Sequence, residues 1–293
     1  MEILRTRADL RRLDPWRHDE RPLVLVPTMG ALHDGHAALV RRAAALGTAV
    51  VSIFVNPSQF GPGEDYAGYP RDLERDLALL EPLGTAAVFA PGVRDMSPRD
   101  GGVRVEPGPR GAPLCGARRP GHFAGVLTAV AKLFNLVRPD VAVFGRKDAQ
   151  QCLVIAEMVE DLGMTVTLED HPTVREDDGL ALSSRNRYLG APERVRALCL
   201  WRALQAGAER LREGERSPVA VAATMRAELA AADGVDYAEV RRVPDLNEPE
   251  RAEGRLLLAV AARVGKARLI DNLVLAVGDD GVRETDLLGD ATR

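Results

Sequence analysis

Between Leu23 and Leu168 short apolar runs alternate with stretches whose apolar positions recur at helical spacing. The runs Leu23–Val26, Ala49–Phe54, Ala87–Phe89, Val141–Phe144 and Thr165–Leu168 predict strands. Helices are predicted over His36–Leu46, Leu73–Leu83, Gly125–Val137 and Ala149–Leu162. Strands apolar on both faces, with helices between them, imply a parallel sheet covered on both sides: a Rossmann-like, doubly wound α/β fold. After about Val174 the pattern changes. Pro192–Glu213 and Pro218–Ala232 read as long helices, and Val235–Val243, Arg255–Val264 and Ala267–Leu275 alternate like half-exposed antiparallel strands. Gly265-Lys266 is placed for a tight hairpin turn. The expected division is a first domain over 1–174 and a smaller α+β C-terminal lid domain over 175–293, its polar end weakly ordered from about Asp279.

Composition adds limits rather than chemistry. The 293 residues are 46% hydrophobic and 28% charged, with a net charge of −4. The isoelectric point near 5.8 gives no basic face for nucleic acid. No run approaches a membrane span, and Met1–Arg5 lacks a signal-peptide core, so a cytoplasmic protein with no membrane partner is expected. Cys115, Cys152 and Cys199 share no metal spacing and read as free thiols. Only three of the 39 basic residues are lysines, Lys132, Lys147 and Lys266.

The loops that follow strand ends carry the polar residues. Pro27–His36 has glycines at Gly30 and Gly35 and histidines at His33 and His36, just before a helix. Unpaired backbone N–H groups and the helix dipole would converge there on an anion, with two imidazoles as further donors. A metal site is the rival reading, weakened by the lack of Cys or Glu partners. Gly145-Arg146-Lys147-Asp148 ends the fourth predicted strand and brings Lys147 to the mouth of the sheet as a point charge for phosphate. Leu182-Ser183-Ser184-Arg185 follows an acidic turn and offers two hydroxyls and a guanidinium as a mobile phosphate clamp. Asn56, Gln59, Tyr69, Gln150 and Gln151 suit a small polar substrate, because neutral amides recognise hydroxyl and carboxylate groups.

Together these residues resemble the nucleotidylyltransferase superfamily, with its His-x-Gly-His loop, and within it the pantoate–β-alanine ligase family. The resemblance runs in order through Val26–His36, Ser52–Gly61, Tyr69-Pro70-Arg71, Arg119-Pro120-Gly121-His122-Phe123, Phe144–Gln151 and Asp178–Tyr188. It implies ATP-dependent joining of D-pantoate and β-alanine through a pantoyl adenylate, releasing pyrophosphate and then AMP. The same resemblance implies Mg²⁺ with ATP, and a homodimer to which Ala49–Val55 and Pro107–Pro120 could contribute. By that likeness His33, His36, Lys147 and Arg185 are catalytic. Met29, Gly145, Asp148, Val174, Leu182, Ser183 and Ser184 join them in holding ATP. Met29, Asn56, Gln59, Tyr69 and Gln151 would hold pantoate, and Asp76 would be a metal ligand. The first step needs no general base, since a carboxylate is already ionised at neutral pH; positioning and charge neutralisation suffice.

The chain departs from the family pattern at four places, one being Arg75, just before Asp76, where some members carry an acidic residue. Arg146 stands where many members carry Glu, Ala149 where many have an aromatic, and Leu182 where methionine is usual. Arg146 would either strengthen phosphate attraction or point to solvent. The alternatives to the ligase are another His-x-Gly-His adenylyltransferase and a nucleotide-binding protein without turnover.

Overall fold

The computed structural model describes residues 1–17, 20–97 and 102–289. Two compact units are present, Met1–Gly145 with Gln151–His171, and Arg146–Gln150 with Pro172–Gly289. This division differs from a single cut at 174/175. The Arg146–Gln150 turn groups with the second unit because the Asn272 side chain donates to the carbonyls of Arg146 and Lys147, at 3.1 and 2.8 Å.

In the first unit the strands are β1 (Glu2–Leu4), β2 (Leu23–Thr28), β3 (Thr48–Ile53), β4 (Thr85–Phe89), β5 (Val141–Gly145) and β6 (Thr167–His171). The helices are α1 (Asp14–Arg17), α2 (Asp34–Leu46), α3 (Leu73–Leu80), α4 (Val93–Met96), α5 (Cys115–Arg118), α6 (His122–Val137) and α7 (Ala149–Asp161). The sheet order is β1-β4-β3-β2-β5-β6, parallel throughout. Alternate side chains of each strand serve opposite faces. Val24, Val26, Ala49, Val51, Val88 and Val143 pack with Leu39, Val40 and Ala43 of α2 and Leu80 of α3. On the other face Phe144 meets Phe134 of α6, ring centroids 6.4 Å apart. The expected Rossmann-like, doubly wound sheet is therefore present. β1 is an addition: three residues give no readable period, and its pairing with β4 supplies the order.

β3 lies between β2 and β4, and Ala49–Ser52 is buried within this unit. That part of Ala49–Val55 has no surface to offer a second copy, which corrects the expectation placed on it.

The second unit carries α8 (Ala191–Ala197), α9 (Cys199–Arg212), α10 (Pro218–Glu228), β7 (Gly234–Arg242), β8 (Gly254–Val264), β9 (Ala267–Gly278) and β10 (Gly281–Glu284). Its antiparallel sheet runs β10-β9-β8-β7. The β8–β9 hairpin turns at Gly265-Lys266, with Val264 opposite Ala267. Leu200, Leu204 and Leu211 of α9 and Val221 and Met225 of α10 pack on Leu256, Leu258, Val260, Leu273 and Leu275. The single helix expected over Pro192–Glu213 is interrupted at Leu198, whose N–H turns back to the Val195 carbonyl at 3.3 Å. The described residues 280–289 are also ordered, contrary to expectation. β10 pairs with β9, and Arg255 Nη2 donates to the carbonyls of Asp286 and Leu287 at 2.7 and 2.8 Å.

Candidate active site

Strand order reverses between β2 and β5, and in open parallel sheets ligands bind at the carboxyl ends of the strands flanking such a point. The loop leaving β2 there holds Met29, Gly30, Ala31, Leu32 and His33. Gly30 and Ala31 both adopt left-handed backbone, φ +77° and +52°. A side chain at Gly30 would also meet Asp76 Oδ2 at 2.8 Å. Asp76, from α3, fixes this conformation: Oδ2 accepts from Ala31 N–H at 2.9 Å and Oδ1 from Leu32 N–H at 2.8 Å. Burial pushes its carboxyl above the usual carboxylate range, against the pull of those two N–H groups. Each oxygen of Asp76, expected as a metal ligand, accepts one loop N–H, which gives the carboxylate a positioning task at this turn.

The two histidines cap α2 reciprocally. Nδ1 of His33 accepts from Gly35 N–H at 3.2 Å, and Nδ1 of His36 accepts from His33 N–H at 3.3 Å. A neutral imidazole that accepts at Nδ1 carries its proton on Nε2. The two rings lie 4.1 Å apart. This changes the sequence reading of the loop. The backbone N–H groups of Ala31, Leu32, His33 and Gly35, read from the sequence as donors to an anion, are occupied by side chains.

At the end of β3, Asn56 caps a short 3-10 turn, Pro57–Gln59. Its Oδ1 accepts from Ser58 N–H and Oγ–H, and its Nδ2 donates to Gln59 Oε1 and to the Gly125 carbonyl, both at 3.0 Å. Two donors and two acceptor sites are all a primary amide has. Asn56, expected to hold pantoate, is buried with both ends of its amide bonded within the protein, and one of those bonds orients Gln59. Gln59 Nε2 in turn lies 2.9 Å from Met29 Sδ, which brings the amide beside the histidine loop. The Gln59 carbonyl is held at 2.8 Å by His122 Nδ1 and at 3.3 Å by Arg119 Nη2. Arg119 also donates through Nε and Nη2 to Glu64, at 2.6 and 2.7 Å. That pair holds the Glu64 carboxyl down at about 2, the Arg119 hydrogen bond being the main cause. Tyr69 is buried, edge-on to Phe60 at 5.8 Å. Gln151 is half-buried in the first turn of α7, and Gly145, ending β5, accepts from the Cys152 thiol at 3.5 Å.

The second unit brings together the remaining expected residues. Lys147 and Asp148 lie in the 3-10 turn Arg146–Asp148, Lys147 half-buried and Asp148 exposed. Val174–Leu182 forms a small hairpin closed by Leu182 N–H on the Val174 carbonyl at 3.0 Å, with Arg175 bridged to Ala181. It feeds Ser183, whose Oγ accepts from Arg185 N–H at 3.2 Å and so caps the 3-10 helix Ser184–Tyr188. Arg146, read as either strengthening phosphate attraction or pointing to solvent, is bonded within this unit. Its guanidinium donates to the Thr285 carbonyl at 3.2 Å and to Asp286 at 2.8 Å.

Residues passed over in the sequence are Glu64, Arg119 and His122 around Gln59, and Asp271-Asn272 on β9. The last pair had a signal: two adjacent polar residues inside the apolar run Leu269–Leu275. Among the described residues no group of three His, Cys, Asp or Glu side chains could hold a metal ion, and no helix is long and apolar enough to cross a membrane.

The family model for pantoate-beta-alanine ligase matches residues 2–274. A pantothenate synthetase of Roseiflexus castenholzii is 54% identical over 254 residues, 86% of this chain and 91% of the relative. That of Moorella thermoacetica is 49% identical over 283 residues, 95% of this chain and 100% of the relative. The crystal structure of pantothenate synthetase from Thermus thermophilus superimposes with a TM-score of 0.87 at 46% identity, covering 93% of this chain and 99% of that one. The pantoate-beta-alanine ligase of Francisella tularensis, complexed with beta-gamma ATP and beta-alanine, gives 0.76 at 31% identity, covering 94% and 97%. With its sequence matched almost end to end and its two sheets shared with solved members, this chain belongs to the pantoate–β-alanine ligase family.

Proposed function

We propose that this enzyme joins D-pantoate to β-alanine in two steps at the expense of ATP. Pantoate's carboxylate attacks the α-phosphorus, the bond to the bridging oxygen breaks, and pyrophosphate leaves with the electron pair. The β-alanine amine then attacks the acyl carbon of the pantoyl adenylate, AMP leaves, and the amine's proton is lost to solvent.

One observation carries this reading: Gln59, a neutral amide fixed at both ends, lies 2.9 Å from Met29 in the loop that presents the His33 and His36 donors. A neutral amide beside imidazole donors suits an acid bearing hydroxyls; an acceptor that is itself a phosphate would call for cationic side chains. In this proposal Nε2–H of His33 and His36 donates to ATP phosphate oxygens, and Lys147, Ser183, Ser184 and Arg185 hold the β- and γ-phosphates. Asp148 binds the ribose, while Gly145, Val174 and Leu182 line the nucleotide. Gln59 and Gln151 hold pantoate beside Met29 and Tyr69, with Asn56 acting through Gln59. The donor set fits Mg²⁺ held mainly by phosphate oxygens rather than by a protein cage; bound there, it would neutralise triphosphate charge. A cytoplasmic homodimer completes the proposal, and sedimentation of the purified chain at twice its monomer mass would support the dimer.

The test is pyrophosphate–ATP exchange with Mg²⁺, with and without D-pantoate, with α-ketopantoate and pantetheine as control acceptors. Exchange only with pantoate is expected. Exchange with a control acceptor would favour a different adenylyltransferase, and ATP binding without any exchange would favour a binding protein.

A further inference from the structure

Asp271 and Asn272 are neighbours on β9, both buried, in a strand that is otherwise apolar across Leu269–Leu275. They hold two different loops. Asn272 Nδ2 donates to the carbonyls of Arg146 and Lys147, at 3.1 and 2.8 Å. Asp271 accepts both arms of Arg175, Nη1 at 2.6 Å and Nη2 at 2.9 Å. Arg175 lies in the first arm of the hairpin that delivers Ser183, Ser184 and Arg185. Its guanidinium also stacks 3.8 Å over the Trp201 ring and donates to the Gly179 carbonyl at 3.1 Å. Trp201 in turn fills the space beside Gly179, where a Cβ would come within 2.1 Å of Cδ1.

We infer that Asp271 and Asn272 are positioning residues that set the spacing between Lys147 and the Ser183–Arg185 turn, so that both meet the same pyrophosphate moiety. The inference rests on the phosphate roles proposed above. Neither residue touches substrate in it. The bidentate pair fixes the direction of the hairpin as well as its distance, because a guanidinium and a carboxylate meet in a defined plane. The amide fixes the lysine turn through main-chain carbonyls, independently of what the lysine side chain does. A displacement of about 1 Å between charge-bearing groups is enough to lower a rate about a hundredfold.

Asn272→Leu approximates the branched shape of the side chain and removes the two donors. In pantoate-dependent exchange with the full chain, KM for pyrophosphate is expected to rise about tenfold while KM for D-pantoate stays within twofold. A purely structural defect would lower the active fraction and leave both KM values alone. Asn272→Ser retains one donor and is expected to fall between wild type and Leu; it carries the test if the Leu variant does not fold. A second arm replaces Arg175 and Asp271 together, R175M with D271L, since exchanging a buried ion pair for apolar groups preserves stability far better than removing one partner. It too should raise KM for pyrophosphate selectively. Lys147→Ala separates the layers. If it keeps full exchange, the proposed phosphate role is wrong; if it loses exchange while the folded 272 variants keep a wild-type KM for pyrophosphate, the positioning inference alone is overturned. A parallel rise in both KM values would also overturn it.

Discussion

Glu64 receives two parallel hydrogen bonds from Arg119, 2.6 Å from Nε and 2.7 Å from Nη2, and through that pair reaches the backbone of Gln59. Removing the carboxylate charge leaves a half-buried guanidinium without its partner and loosens the clamp on the Gln59 carbonyl. Glu64→Gln is expected to lower stability by about 1–3 kcal/mol and to raise KM for D-pantoate several-fold, with KM for ATP unchanged. Steady-state kinetics with each substrate varied and a denaturant titration check this; unchanged pantoate kinetics would remove the positioning role.

The same pair sets a pH dependence. The folded-state value for Glu64 is about 2 against 4.5 for the free group, so the unfolded chain binds the proton more tightly. Its stabilisation is fully present above about pH 4.5 and is lost as pH falls towards 2. Wild type should lose more stability than Glu64→Gln across that window. Parallel stability curves for the two proteins would show that the pair contributes nothing there.

Gly125 lies where α6 meets the Pro57–Gln59 turn, and a Cβ there would come within 2.1 Å of the Ser58 carbonyl oxygen and 2.7 Å of Gln59 N. The obstacle is backbone, so the turn itself has to move. Gly125→Ala is expected to raise KM for D-pantoate tenfold or more while ATP binding, measured by calorimetry, stays within twofold. Equal losses for both ligands would mean the turn does not carry the acid site.

Asp76→Asn keeps shape but turns an N–H group towards one of the two loop N–H donors. A drop in exchange rate of about tenfold or more is expected, together with about 1–3 kcal/mol of stability. The half-saturating Mg²⁺ concentration should be unchanged. A large increase in that concentration would restore Asp76 as a metal ligand.

Arg146→Glu places a negative charge against Asp286 and removes the bond to the Thr285 carbonyl. Because Asp286 is exposed, the pair is worth little, within about 1 kcal/mol. Exchange activity is expected to stay within threefold of wild type, since the guanidinium serves the C-terminal segment; a drop of tenfold or more would return it to the phosphates.

The parallel sheet was legible because β2, β3, β4 and β5 are apolar on both faces and bounded by turn residues. The break at Leu198 was not, since neither Gly nor Pro marks it and a local change in hydrogen bonding makes it. Among the candidate residues, His33, His36, Gln59 and Lys147 stand out by residue type in loops after strands. What those side chains bond to could not be read from spacing. Asp76 lies more than forty residues from the loop it holds, and no spacing shows that the Asn56 amide makes four hydrogen bonds within the protein. Arg146 looked like added charge for ATP because its partners, Thr285 and Asp286, come from the far end of the chain.

Loops that receive phosphate on their backbone are often ordered by the nucleotide itself, and part of the binding free energy is then consumed in freezing them. Here the Asp76 carboxylate occupies the backbone donors of Ala31 and Leu32 already, so the left-handed turn at Gly30 and Ala31 is shaped before any nucleotide arrives. In the proposed reaction, binding beside that turn would carry little ordering cost, and departure of AMP or pyrophosphate would not need to unravel it. An internal anion of this kind would let one nucleotide leave and the next arrive on an unchanged surface.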